Sequence, residues 1–216
     1  MKKFTSLLIF ISSLGYSQDS DLGNWLIYIG SKKIDPKWNI HNEVQYRNYN
    51  AIGDLEQLLL RTGVGYNLSP NNNNLLLGYG LIRSENYNVN NEKSANEEHR
   101  IYQQFVTKQS FGRVSWQHRY RLEERFTASG FKVRFRYFLA AKVALNKPTL
   151  EKNTFYISAY NEIFINNKET FFDRNRIYGG FGYVVNKNVK LELGYMNQLF
   201  SVGSRDQVNV IGVVNF

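Results

Sequence analysis

The sequence of 216 residues contains no cysteine, only three prolines and no apolar stretch as long as a membrane-spanning helix. The lack of cysteine excludes a disulfide framework and a lipid-anchored N-terminus, so packing and backbone hydrogen bonds must stabilise the fold. Beyond Gln18, no apolar run approaches the roughly 20 residues that a spanning helix needs. A helical membrane protein is therefore excluded, and only β-strands could carry this chain across a membrane.

The N-terminus has the three parts of a secretory signal peptide. Residues 1–3 include two lysines, residues 4–14 are mostly apolar, and residues 15–17 resemble a cleavage site. The apolar run is about half as long as a membrane anchor. We therefore predict a signal peptide over residues 1–17 and export of a mature chain that begins at residue 18.

The chain carries a formal net charge of +9, which falls to +7 without Lys2 and Lys3. The basic residues alternate with apolar ones instead of clustering, and an exported protein meets little nucleic acid, so we expect no nucleic-acid partner. Anionic lipopolysaccharide or a small anionic solute fits this charge better. The simplest interpretation is a solvated basic surface or lumen.

Apolar and polar residues alternate with a period of two along most of the chain. Between residues 113 and 126, Val114, Trp116 and Tyr120 share one face, and arginines and glutamate occupy the other. Residues 131–145 repeat the pattern and place further arginines on the same side. The alternation predicts strands with one apolar and one strongly polar face.

Runs of this kind cover nearly the whole chain, and many exceed ten residues. That length matches a tilted membrane-crossing strand better than the five or six residues of a typical soluble strand. There are eleven runs: residues 22–31, 37–49, 54–68, 74–86, 97–110, 113–126, 131–145, 153–165, 174–186, 188–200 and 206–216.

The connections between the runs predict which end of a barrel they occupy. Short polar turns near residues 69–73, 111–112, 146–148 and 186–188 alternate with longer segments near residues 87–96 and 166–173. Outer-membrane barrels have short periplasmic turns and longer outer loops. With the tight turns in the periplasm, the ten runs from Lys37 to Phe216 form an even-numbered barrel, and the first run pairs at the seam, packs inside or has an unrecognised partner.

The C-terminus adds a signal of outer-membrane proteins, because residues 208–216 alternate up to a terminal phenylalanine, Phe216. The barrel-assembly machinery is thought to recognise such an end. We predict an all-β fold: an antiparallel transmembrane up-and-down β-barrel over residues 18–216, with 10 to 12 strands and 12 preferred. Outer-membrane lipid, lipopolysaccharide and the assembly machinery are its expected partners, and a soluble exported barrel of lipocalin type is the alternative.

Short segments along nearly all of the mature chain also resemble a known family. They are residues 23–25 (GNW), 43–47 (EVQYR), 98–100 (EHR), 103–104 (QQ), 118–126 (HRYRLEERF), 134–137 (RFRY), 161–164 (NEIF), 173–180 (DRNRIYGG) and 194–198 (GYMNQ). Their order and spacing are similar to the family called domain of unknown function 2490, uncharacterised outer-membrane barrel proteins common in Bacteroidetes. The resemblance implies an outer-membrane barrel and no particular activity.

The polar faces of the strands predict a charged lumen. Arginine–carboxylate pairs are expected there because unpaired charges in a confined space are costly. A barrel with such a paired lumen is expected to be a structural component of the envelope. The functional alternative is an anion-selective constriction, which would make the protein a narrow, porin-like pore. The predicted lining residues are Glu43, Arg47, Arg61, Glu98, Arg100, Arg119, Arg121, Glu123, Arg125, Arg134, Arg136, Glu162, Arg174, Arg176 and Glu192, together with Arg113.

An outer-membrane lipid-modifying enzyme of phospholipase or lipid A deacylase type is the alternative function. Such enzymes use a serine–histidine pair, and the chain offers only His41, His99 and His118. His118 and Ser115 fall on opposite faces of one strand, whereas His99 lies near a long loop with Ser84 or Ser94 nearby. We predict no catalytic residue, and three scattered histidines without cysteine predict neither a metal site nor a cofactor.

Overall fold

The computed structural model describes residues 22–70, 72–167 and 170–216, so the predicted signal peptide lies outside the described residues. Eleven strands follow one another along the chain: β1 (Gly23–Lys33), β2 (Trp38–Asn48), β3 (Leu55–Asn67), β4 (Asn73–Tyr87), β5 (Lys93–Phe111), β6 (Val114–Thr127), β7 (Gly130–Ala144), β8 (Thr154–Asn166), β9 (Phe172–Val184), β10 (Val189–Phe200) and β11 (Ser204–Asn215). Each strand coincides with one predicted run, and in β2 to β11 the period-two alternation marks the strand directly.

The strands form one closed barrel in which each strand pairs antiparallel with its neighbours in sequence. The exception is the seam, where β1 runs parallel to β11 from Gly23 opposite Gln207 to Ser31 opposite Asn215. The strand number lies within the predicted 10 to 12, but the preference for 12 and the expectation of an even-numbered, wholly antiparallel barrel are wrong. Parallel pairing lets an odd number of strands close, and it gives residues 22–31 their place at the seam.

The register makes the strands steeply tilted. A row of paired residues that leaves β7 at Ala144 crosses all the other strands and returns to β7 at Gly130, fourteen residues away. For eleven strands this shear corresponds to a tilt of about 40°, within the usual range for barrels. The tilt carries inner-face residues of distant strands to the same level of the lumen.

The two ends of the barrel differ less than the turn lengths predicted. We call the end with Phe216 the C-terminal end and the other, where the β4–β5 hairpin lies, the hairpin end. The longest of the described connections, residues 145–153, lies at the C-terminal end, where only tight turns were expected. Residues 93–96, predicted as part of a loop, belong to β5 because they pair with β4 up to Tyr87 opposite Lys93.

The barrel is apolar outside and polar inside. Outward-facing side chains such as Leu77 and Leu193 are 59% and 58% exposed, whereas Glu123 and Gln207 on the inner face are fully buried. A small apolar cluster of Trp25, Tyr178 and Met196 is also buried inside. Among the described residues, no helix has the length and apolar character to cross a membrane.

Candidate functional site: the charged interior

The fifteen predicted lining residues all lie on inner faces of the barrel strands. Ten are arginines and five are glutamates, and several of them lie on directly paired strands, as Arg121 opposite Arg136 and Glu123 opposite Arg134 do on β6 and β7. Arg113 is different: it lies in the turn between β5 and β6, where its guanidinium donates to the carbonyl oxygens of Leu145 and Lys147. Its side chain therefore supports the C-terminal end rather than the lumen network.

Glu123 is the centre of the network. Its carboxylate accepts hydrogen bonds from Arg134 at 2.7 Å and from Arg136 at 2.5 Å. Arg121 and Arg100 lie farther away, at 3.5 and 3.8 Å. Four guanidinium groups thus surround one fully buried carboxylate, which compensates for the loss of its hydration.

Two other glutamates extend this arrangement. Glu162 accepts hydrogen bonds from Arg136 at 2.6 Å and from Arg119 at 2.7 Å, so Arg136 bridges two carboxylates. Glu98 accepts a hydrogen bond from Arg100 at 2.5 Å and a bidentate pair from Arg125 at 2.6 and 2.9 Å. Every pair joins different strands or successive inner-face positions of one strand, so the network fastens the walls of the barrel together.

The remaining predicted residues make smaller groups. Arg61 donates to Glu43 at 2.7 Å. Glu192 accepts from Lys142 at 2.8 Å, and not from an arginine. Arg174 and Arg134 share Asp173, which the sequence argument did not include. Asp173 was missed because a register shift beside Ile165 disturbs the alternation at the start of β9.

Two aromatic residues that the sequence argument missed organise the arginines. The Phe164 ring is surrounded by the guanidinium groups of Arg134, Arg136, Arg174 and Arg176, at 4.5 to 5.9 Å from its centroid. The negative face of the ring attracts the guanidinium groups, so these contacts stabilise arginines that lie close to one another. A signal for Phe164 was present, since it follows Glu162 at the period of two.

Trp25, next to β2, also brings two arginines together on its ring. The guanidinium carbon of Arg47 lies 3.6 Å from its ring centroid, and that of Arg176 lies 4.9 Å away. Arg47 also donates to Gln45 and Gln57, while Arg176 donates to Gln198. The alternation gave no sign that Trp25 faces the lumen, because both faces of β1 are apolar.

These contacts close the lumen at one level. One inner-face residue from each strand is at most 7% exposed, and we call this set the buried belt: Trp25, Arg47, Leu59, Ile82, Arg100, Glu123, Arg134, Phe164, Arg176, Gln198 and Gln207. A continuous column of water would expose some of these side chains. The side chains of the belt therefore fill the lumen in the half nearer the hairpin end.

Toward the C-terminal end the inner face becomes accessible. On β6 the exposed fraction of the side chain rises from 0% at Glu123 and 1% at Arg121 to 20% at Arg119. On β11, Asn209 is fully buried, whereas Ile211 and Val213 are half-buried. The inner face is thus accessible from the C-terminal end beside β6 and β11, whereas Ala144, Tyr156 and Val184 on β7, β8 and β9 are buried there. We call this accessible part of the lumen, which ends at the belt, the vestibule.

The hairpin end is held by a smaller set of contacts. The Lys93 ammonium lies 2.6 Å from Asp54 and also donates to the carbonyl oxygen of Leu55. The hydrogen bond with Asp54 raises the pKa of Lys93 from its ordinary value. These contacts tie the start of β5 to the connection between β2 and β3.

The three histidines are not arranged as a catalytic pair with serine. His99 and His118 bond to the hydroxyl groups of Tyr79 and Tyr137 on the outer face, at 2.5 and 2.9 Å. His41 lies inside, 3.6 Å from Glu43. Within residues 22–70, 72–167 and 170–216, no histidine is hydrogen-bonded to a serine, and no group of acidic and histidine side chains could hold a metal ion.

The known proteins that this chain resembles have no assigned activity. The family model described as "Protein of unknown function (DUF2490)" matches residues 22–209. An uncharacterized protein of Methylorubrum extorquens is 30% identical over 165 residues, which cover 72% of this chain and 69% of the relative. No solved structure matches. The Bacteroidetes origin suggested by the sequence stays a prediction, and the chain belongs to the DUF2490 family of proteins of unknown function.

Proposed function

We propose that this protein spans the bacterial outer membrane as a closed β-barrel and serves as a structural component of the envelope rather than as an open pore. The observation that carries the proposal is the distribution of polarity, which is the reverse of that in a soluble protein. Exposed apolar residues cover the outer wall, and the buried belt fills the interior. Lipid and lipopolysaccharide are its proposed surroundings, and the barrel-assembly machinery is its proposed partner during insertion.

The outer wall supports a membrane location over a soluble barrel. A soluble barrel of lipocalin type keeps apolar residues inside and polar residues in water. Here Leu77, Leu193 and Phe135 are each more than half exposed, while arginine and glutamate are buried. Strands of 11 to 19 residues at a tilt of about 40° are long enough for the apolar band, about 25 Å tall, of outer-membrane barrels.

The belt supports a closed lumen over an anion-selective pore. Arginines exceed glutamates in the predicted lining, as a constriction for anions requires. However, Glu123, Gln207 and Ile82 have no exposed surface, and they lie on three different sides of the barrel. Ions would have to displace the arginine–glutamate network in order to pass.

The location and orientation are tested by single cysteines, since the natural chain has none. We propose that Phe216 and the C-terminal end face the periplasm. Asn90→Cys, in the hairpin between β4 and β5, should then react with a membrane-impermeant maleimide on intact cells. Lys187→Cys, in the connection between β9 and β10, should react only after the envelope is permeabilised.

Both variants should fractionate with the outer membrane and show the heat-dependent migration of a folded barrel on gels. Recovery of the folded protein in the soluble periplasmic fraction would refute the proposal. Labelling of Lys187→Cys but not of Asn90→Cys on intact cells would show that the orientation is the opposite of the proposed one, and it would still support the membrane location.

A further inference from the structure

Three lysines lie at the mouth of the vestibule, at the C-terminal end of the lumen. Lys108 is on the inner face of β5, Lys142 on β7 and Lys190 on β10. Lys190 lies two residues from Glu192, the carboxylate that binds Lys142. Lys108 pairs with Gln117 of β6, which pairs with Ala140, two residues from Lys142. Three strands therefore direct positive charge to one place.

Only one of these lysines has a close acidic partner. Lys142 lies 2.8 Å from Glu192, whose other oxygen accepts a hydrogen bond from Ser158. Neither Lys108 nor Lys190 makes an ion pair or a side-chain hydrogen bond within the described part of the chain. This differs from the belt, where nearly every arginine is paired or stacked on an aromatic ring. Three ammonium groups thus share the single carboxylate of Glu192 at the opening, and positive charge is in excess there.

The wall behind the lysines is apolar and aromatic. Ile29 and Val213 pair across the seam, and Phe138 and Tyr160 lie on the opposite wall. All four side chains are partly accessible. Arg119, whose side chain is 20% exposed, lies deeper and is paired with Glu162. The apolar wall of the vestibule can therefore contact the organic part of a ligand, while the lysines at its mouth attract the ligand's anionic group.

We infer that this vestibule is a binding site for a small organic dianion, of which a phosphate monoester is the simplest class. Lysine binds phosphate as a point charge without a fixed geometry, so the excess of positive charge at the mouth matches the negative charge of a phosphate monoester at neutral pH. The ligand enters from the C-terminal end and stops at the buried belt. The site goes beyond the proposed structural role, because a closed barrel needs no ligand.

Gln117 offers a direct reporter of the site. It pairs with Lys108 on β5 and with Ala140 on β7, two residues from Lys142. In the folded protein in zwitterionic detergent, Gln117→Cys should react faster with an anionic thiosulfonate than with its cationic counterpart. Phenyl phosphate should slow this reaction, and benzoate, a monoanion with the same ring, should slow it less.

Charge removal provides the decisive comparison. Lys108→Gln and Lys190→Gln, each in the Gln117→Cys background, should weaken protection by phenyl phosphate about fivefold. Lys187→Gln removes the same charge at the same end of the barrel but outside the lumen, and it should leave protection unchanged. Isothermal titration of the cysteine-free protein with phenyl phosphate should give the same order of affinities.

Several outcomes would overturn the inference. They are an absence of protection by phenyl phosphate, equal protection by benzoate, and equal weakening by Lys187→Gln. Because the assay uses folded protein in detergent, its failure says nothing against a membrane location, and a soluble location would not affect it.

Discussion

Single carboxylates that are shared between arginines organise the interior. Glu98, Glu123 and Glu162 each accept hydrogen bonds from two arginines, and Arg136 joins two of these glutamates. The planar guanidinium group suits this arrangement because its donors point in fixed directions and bind two acceptors at once. The Phe164 ring lies between four arginines that bind these and neighbouring carboxylates, and its negative face reduces their mutual repulsion.

Glu123→Gln tests whether the belt depends on the shared charge. The amide keeps the volume of the side chain but removes the buried negative charge that four guanidinium groups surround, so the loss of stability should be about 3 to 5 kcal/mol. The free energy of unfolding in urea, measured by tryptophan fluorescence in lipid vesicles, would show it. Glu151→Gln is the matched control: the Glu151 side chain is 57% exposed and forms a surface pair with Lys147, so its substitution should change little. Equal stability of the two variants would contradict the central role of Glu123.

Among the elements, β1 is the one that the sequence could not place. Its inner-facing Trp25 and Ile27 are as apolar as its outer-facing Leu26 and Tyr28, so the alternation that identifies the other strands is absent. The strand's position depends on long-range pairing with β2 and β11, which no local pattern encodes. By contrast, the boundaries of β6 and β7 were predicted closely, because their arginines alternate strictly with apolar residues.

The parallel seam predicts a specific disulfide. Leu26 of β1 pairs with Val210 of β11, and both side chains face outward. The double variant Leu26→Cys with Val210→Cys should form a disulfide on mild oxidation and resist thermal opening of the barrel on gels. Leu26→Cys with Val214→Cys separates the two cysteines by four residues along the strand, roughly 13 Å, and should stay reduced. Cross-linking of the second pair but not the first would show that the register of the seam is different.

For the molecule as a whole, the fold class and the polar inner face could be predicted from the sequence, but the closure of the lumen could not. Alternation assigns Arg100, Glu123 and Arg176 to one face of the sheet, yet it does not say whether their side chains meet across the barrel. That depends on the strand number and on the shear, and both follow from the seam. The vestibule has the same origin, since it is the part of the lumen that the belt residues do not reach.

The closed lumen predicts that the folded wild-type protein is silent in a planar bilayer and that removal of two belt residues opens it. Trp25→Ala with Phe164→Ala deletes the rings on which Arg47, Arg176 and their neighbours stack, so the double variant should conduct and, because arginine is in excess, should prefer anions. Phe138→Ala with Tyr160→Ala removes two rings of similar size from the vestibule wall but leaves every belt side chain present, and it should stay silent. Heat-dependent migration on gels would establish that all three proteins are folded. Steady openings of the wild-type protein, or of the vestibule variant, would mean that the belt does not close the lumen.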